Sequence, residues 1–167
     1  MISKVPQMNK LRRALIFFSI SFSIIAFDQL SKSYVVYSIP LNQGRPIIEN
    51  YLDLVHVRNS GAAFGFFSGS KGSPNRWILT TVSVSALIAI LGMTFWLPET
   101  SLLVLVAYAL FFGGAAGNLL DRLLHGEVID FIDLHVGGLH WPAFNVADSS
   151  LCLGAALFCF YVIKHKK

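Results

Sequence analysis

Nine carboxylates stand out in this 167-residue chain, because only 13% of its residues are charged and 54% are hydrophobic. They are Asp28, Glu49, Asp53, Glu99, Asp121, Glu127, Asp130, Asp133 and Asp148. An ionisable side chain at membrane depth is costly enough that it usually faces other protein and performs a task. Asp148, in FNVADSS, opens an apolar run that continues to Ile163, so its carboxylate needs a partner. A helix N-terminus favouring a negative charge is the simpler explanation for it. Asp130, in EVIDFID, lies just beyond another apolar run, and a short connection joins the two elements. If the two carboxylates meet, one can deprotonate a water while the other, still protonated, polarises the carbonyl under attack. That is the acid–base pairing of an aspartic protease, and it needs no metal. An ion pair with Arg122 is the competing reading of Asp130; Asp133 is read as a solvated loop carboxylate.

Other polar residues fall at helical spacing. Asn118 and Arg122 are four apart, which sets an amide and a guanidinium in line, suited to holding a peptide carbonyl or orienting a carboxylate. Packing plus interfacial snorkelling explains them equally well. Asp28 and Lys32, also four apart, can neutralise each other and are read as structural. Gly113 and Gly117 share a helical face and permit close approach of a neighbouring helix. His125, His135 and His140 flank the aspartates and with Asp130 make a weak candidate metal site, without HExxH or comparable spacing. Ser149 and Ser150 neighbour Asp148, but no Gly-x-Ser-x-Gly elbow or Ser/Lys pair accompanies them.

The elements that must position these residues are membrane spans. A charge content near half the usual figure of about 25% excludes a disordered chain and argues against a soluble monomer. The net charge of +4 comes from basic residues gathered at the two ends, Lys4, Lys10, Arg12 and Arg13 at one and Lys164, Lys166 and Lys167 at the other. That distribution marks cytoplasmic ends of a membrane protein rather than a nucleic-acid surface. Trp77 to Leu97 holds 21 residues without a charge, enough to cross about 30 Å of hydrocarbon. Leu102 to Leu120 follows after a tight turn, and Val146 to Ile163 is the last span. The first, from Ala14, reaches spanning length only by continuing through Asp28 and Lys32 toward Tyr37.

KLRR followed by apolar residues also suits a cleavable signal peptide, but no small-x-small cleavage site follows. Spans over 14–37, 77–97, 102–120 and 146–163 put both termini in the cytoplasm, with an outer loop over 38–76 and a second outer stretch from Asp121 to Asn145. The turn at Glu99 lacks the expected basic residue, while the outer loop carries Arg45, Arg58, Lys71 and Arg76, so the orientation rests on the termini. Tyr51 to Arg58 has strand-like spacing, and Ser68 to Asn75 is turn-rich. Cys152 and Cys159 fit neither a disulfide framework nor a zinc site and are read as packing residues. No repeat or composition shift marks a second domain. The expected class is an all-α membrane protein, one domain over 1–167.

Four blocks carry a resemblance to a known family: DQLSK (Asp28 to Lys32), NSGAAFGF (Asn59 to Phe66), GGAAGNLLDRLLHGEVIDF (Gly113 to Phe131) and PAFNVADSS (Pro142 to Ser150). In this order they resemble bacterial lipoprotein signal peptidase, also called signal peptidase II. The resemblance implies an aspartic endopeptidase of the bacterial cytoplasmic membrane. It would remove signal peptides from diacylglyceryl-modified prolipoproteins, cutting just before the lipidated cysteine, with its site at the outer face. It implies Asp130 and Asp148 as catalytic residues, Asn59, Asn118, Arg122 and Asn145 as substrate-binding, and Asp28, Lys32 and Asp121 as support. It further implies four transmembrane helices with a small outer β platform. The expected partners are prolipoproteins and membrane lipids, with no nucleic acid, cofactor or metal, and the expected state is a monomer. The longer N-terminal lead and the SGSKGSPN stretch depart from the family pattern. The alternatives are a small ion- or proton-conducting transporter using Asp28, Lys32 and Asp148, which the clustering of acids at one edge disfavours, and a metal-dependent membrane hydrolase using the histidines.

Overall fold

The computed structural model describes residues 8–61, 74–96 and 101–166. Its elements in chain order are α1 (Lys10–Ser38), β1 (Gly44–Ile48), β2 (Leu52–Asn59), α2 (Pro74–Trp96), α3 (Leu102–Leu124), β3 (Val128–Val136), β4 (Leu139–His140) and α4 (Val146–His165). All four helices are long and apolar enough to cross a membrane. Asn9 caps α1, accepting from the Arg12 N–H, so the helix starts before the apolar run does. It then continues past Asp28 and Lys32 because both are buried against protein rather than lipid. The structure thus makes α1 part of the bundle, where a cleaved leader would take these two residues away. The turn over 97–100 and most of the Ser68 to Asn75 stretch lie outside the described residues; Pro74 and Asn75 already belong to α2.

α3 is the central helix, packing on α4, α1 and α2. Phe17, Ile90, Val104, Leu105, Tyr108 and Ala109 form its apolar contact with α1 and α2. In lipid there is little hydrophobic drive between helices, so close packing has to hold them together. The glycines of α3 supply it, in a finer division than one shared face. A Cβ at Gly113 would lie 2.8 Å from Ile24 Cβ on α1, whereas one at Gly114 would lie 2.5 Å from the Ala147 carbonyl and Ser150 Oγ on α4. Gly117 sits between them, 2.7 Å from Asp28 Oδ2 by the same measure. Gly114→Ala must therefore push away the first turn of α4. It is expected to cost about 1–3 kcal/mol as overpacking does elsewhere. The thermal midpoint should fall clearly below that of Gly92→Ala, where the nearest neighbour is the Trp96 ring at 3.5 Å.

The sheet is antiparallel, in the order β1-β2-β3-β4. β2 lies one residue beyond the strand expected at Tyr51 to Arg58, and the sheet is the small β platform that the resemblance implies, although the other three strands were not placed from the sequence. Register partners Val57 with Asp130 and Asn59 with Val128 tie β2 to β3, with an irregularity between Leu54 and Val57. Cys152 and Cys159 are not packed in the core; both are exposed on α4. A helix solvated by lipid keeps apolar side chains on its outside, so an apolar neighbourhood in sequence does not imply a core position.

Candidate active site

Asp130 and Asp148 come from different elements, and the chain between them folds back to bring those elements together. Phe144 accepts from Phe131 N and Ile132 N at 3.0 and 2.8 Å and returns its own N–H to Ile132 O at 3.0 Å. This isolated bridge sets Asn145, the next residue, beside Asp130 and at the start of α4.

Every oxygen of the two carboxylates then receives an N–H. Asn145 Nδ2 donates to Asp130 Oδ1 at 2.7 Å, and Asn59 Nδ2 to Asp130 Oδ2 at 3.0 Å. Asn59 is held in that orientation because its Oδ1 accepts from Gly61 N at 2.9 Å. Asn118 Nδ2 donates to Asp148 Oδ1 at 2.8 Å, and the Asn145 backbone N–H to Asp148 Oδ2 at 3.2 Å. The last bond is half of a capping box whose other half runs from Asp148 N to Asn145 Oδ1 at 2.9 Å. The helix-terminus reading of Asp148 is thus realised together with its facing Asn118. All four donors are neutral. Arg122 forms no ion pair among the described residues; its Nη1 reaches the Asn118 carbonyl at 3.4 Å, so the competing reading of Asp130 as its ion-pair partner is not realised. Asp130 is 3% exposed. Burial chiefly raises its pKa, to about 6, with the Asp148 charge adding to the rise; hydrogen bonds from Asn59 and Asn145 and the Lys32 charge pull it back.

Both aspartates line one cleft of ≈ 810 Å³, together with Asn59, Asn118 and Arg122. Leu134, Trp141, Phe144 and Leu151 add apolar surface to the same lining. Behind the cleft, Lys32 joins Asp28 and Asp121 at 2.7 and 2.8 Å. The three support residues named by the resemblance are therefore together, and all are buried. Gln29 was missed. Its Nε2 donates to Asp28 Oδ2 (3.1 Å), Asp121 Oδ1 (2.9 Å) and the Gly117 carbonyl (3.2 Å), and its place between Asp28 and Lys32 in DQLSK was the available signal.

The histidines are elsewhere. His125 ends α3, His135 Nε2 faces Asp53 Oδ1 at 3.3 Å, and His140 Nδ1 bonds Asp133 Oδ2 at 2.9 Å with its ring stacked on His135. Asp133 is thus paired with His140 rather than merely solvated, because β3 and β4 bring the two together. Among the described residues no group of three or more His, Cys, Asp or Glu is placed to hold a metal ion.

Known proteins resemble this chain over most of its length. The family described as Signal peptidase (SPase) II matches residues 20–164. The lipoprotein signal peptidase of Oleidesulfovibrio alaskensis is 43% identical over 154 residues, covering 92% of this chain and 98% of that protein. That of Syntrophus aciditrophicus is 35% identical over 158 residues, covering 94% and 98%. A bacterial membrane enzyme solved by the in meso method at 2.3 Å resolution superposes with a TM-score of 0.81 at 33% identity, covering 91% of this chain and 92% of that one. These similarities leave the transporter reading without support. With its four apolar helices, antiparallel platform and paired carboxylates, the chain belongs to the signal peptidase II family.

Proposed function

We propose that Asp130 and Asp148 are the catalytic pair of a membrane aspartic endopeptidase that removes the signal peptide from diacylglyceryl-modified prolipoproteins, cutting just before the lipidated cysteine. One observation carries this reading: two carboxylates from separate elements face one cleft, and their oxygens are held by neutral N–H donors rather than by a cation. Neutral donors orient a carboxylate without forcing it to stay ionised, so the pair can share one proton. The ionised member takes a proton from water. The protonated member donates to the scissile carbonyl oxygen as the tetrahedral intermediate forms; on collapse the leaving amine takes the proton that the first member had accepted from water, while the second member recovers its proton from a hydroxyl of the intermediate, which restores the singly protonated pair. Arg122 orients the peptide with Asn59 and Asn118 from the cleft lining; Asn145, which the resemblance groups with them, is buried outside that lining and acts through Asp130. The cleft is mainly apolar with the carboxylates, amides and guanidinium set in its lining, which suits a substrate that is part peptide and part lipid.

The site lies where α3 ends and α4 begins, a helix length from the start of α1 and from the end of α4. With basic termini in the cytoplasm, the site faces outward at the bilayer edge, where water reaches it. The chain is read as one monomeric domain over 1–167 of the bacterial cytoplasmic membrane, with membrane lipids around it.

The pH profile tests the mechanism. Activity requires the singly protonated pair, so the rate falls in acid as both groups protonate and falls again as base removes the shared proton. Because Asp130 is raised to about 6, the alkaline limb is expected above the ordinary carboxylate range. A chelator is expected to leave cleavage of a lipidated prolipoprotein unchanged. Chelator-sensitive cleavage restored by zinc would overturn the aspartic mechanism.

A further inference from the structure

Among the described residues no hydrogen bond joins Asp130 directly to Asp148, so something else must fix their separation. The connections behind them converge on one buried ammonium. Lys32, 1% exposed, donates to Asp28 Oδ2 at 2.7 Å, Asp121 Oδ2 at 2.8 Å and Asn118 Oδ1 at 3.0 Å. An ammonium has three protons, so its donor capacity is filled. Each acceptor leads on to one of the paired aspartates. Asp28 Oδ1 accepts from the N–H of Ala147, the residue before Asp148, at 2.9 Å. Asp121 Oδ2 accepts from the N–H of Ile129, the residue before Asp130, at 3.1 Å. Asn118 Oδ1 is pinned by Lys32 and by Asn145 Nδ2 at 3.2 Å, so its amide cannot flip and its NH₂ must face Asp148.

We infer that Lys32 is a positioning residue whose ammonium, without reaching the cleft, sets the separation of Asp130 and Asp148 and the orientation of the amide between them. This rests on the reading of those two as the catalytic pair. Lys32 is absent from the cleft lining, so substrate binding does not depend on it directly. Its charge also favours ionisation of Asp130. A cluster that only held helices together would need neither the two backbone arms, one beside each aspartate, nor the fixed amide.

The test uses the full chain in detergent and a peptide bearing a diacylglyceryl cysteine, with turnover counted per folded molecule. Lys32→Met removes the hub. Lys32→Met with Asp121→Asn removes one charge of each sign, which keeps the formal charge of the cluster and guards against loss of folding. Both variants are expected to lose about 100-fold in kcat, the scale of a small misplacement of catalytic groups, with KM unchanged. In the single variant both limbs of the pH profile should move upward, since the cation that favours ionised carboxylates is gone. Folded variants with wild-type kcat and pH profile, beside an inactive Asp130→Asn, would overturn the role of Lys32 alone. An active Asp130→Asn would instead overturn the catalytic pair on which it rests. Failure of both Lys32 variants to fold would assign Lys32 to stability and likewise overturn the positioning role.

Discussion

Asp130→Asn and Asp148→Asn are each expected to lower turnover by about 10⁴-fold or more, the scale seen when a member of a cooperating catalytic set is removed. An amide keeps the shape of the carboxyl group but can neither accept the water's proton nor share one. The structure also says what the substitutions do to folding. Both oxygens of Asp130 accept from amide NH₂ groups, and Asn59 cannot turn over without losing its bond to Gly61 N. An asparagine at 130 therefore sets one NH₂ against another, a loss of about 1–2 kcal/mol. Removing a buried charge offsets part of it, so the protein should stay folded. The double variant is expected to be little worse than either single, since the two act as a unit. Appreciable turnover by either folded single variant would sink the assignment.

The second large effect is expected at Asn145, which is 0% exposed. Its side chain donates to Asp130, Asn118 and the Ile129 carbonyl, while its Oδ1 caps α4. Asn145→Ala removes the cap, costing about 0.5–2 kcal/mol. It also leaves Asp130 without its shortest hydrogen bond and Asn118 Oδ1 with one of its two donors, Lys32. Turnover should fall by about 10²–10³-fold, as it does when a single preorganised donor is removed. Asn145→Ser separates the two roles, because a hydroxyl can cap the helix but is too short to reach Asp130. Its thermal midpoint should recover toward wild type while its turnover stays low. Recovery of turnover in the serine variant would mean that the cap alone matters.

How far the sequence foretold this arrangement depended on the range of the interaction. Asp148 was conspicuous because a carboxylate at the head of an apolar run must be partnered, and the pairing of Asp28 with Lys32 followed from helical spacing. The roles of Asn59 and Asn145 came from the resemblance, not from spacing. The contact of Asn59 with Asp130 spans 71 residues and needs the β2–β3 register, which no local pattern announces. β3 escaped because VIDFIDLHV drew attention for its carboxylates, and β1 because its five residues are exposed and include a proline. Gly113 and Gly117 were seen as one face, but the contact of Gly114 with α4 requires knowing that helices pack on both sides of α3. Arg122 was placed correctly in line with Asn118, yet it reaches the Asn118 carbonyl instead of a carboxylate.

The most direct test is to incubate the purified protein with a prolipoprotein in its lipidated and unlipidated forms and to weigh the products. The lipidated form should yield a new N-terminus at the diacylglyceryl cysteine, in the presence of chelator as in its absence, and Asp130→Asn should yield none. A cut elsewhere in the chain, or the same product from Asp130→Asn, would contradict the account.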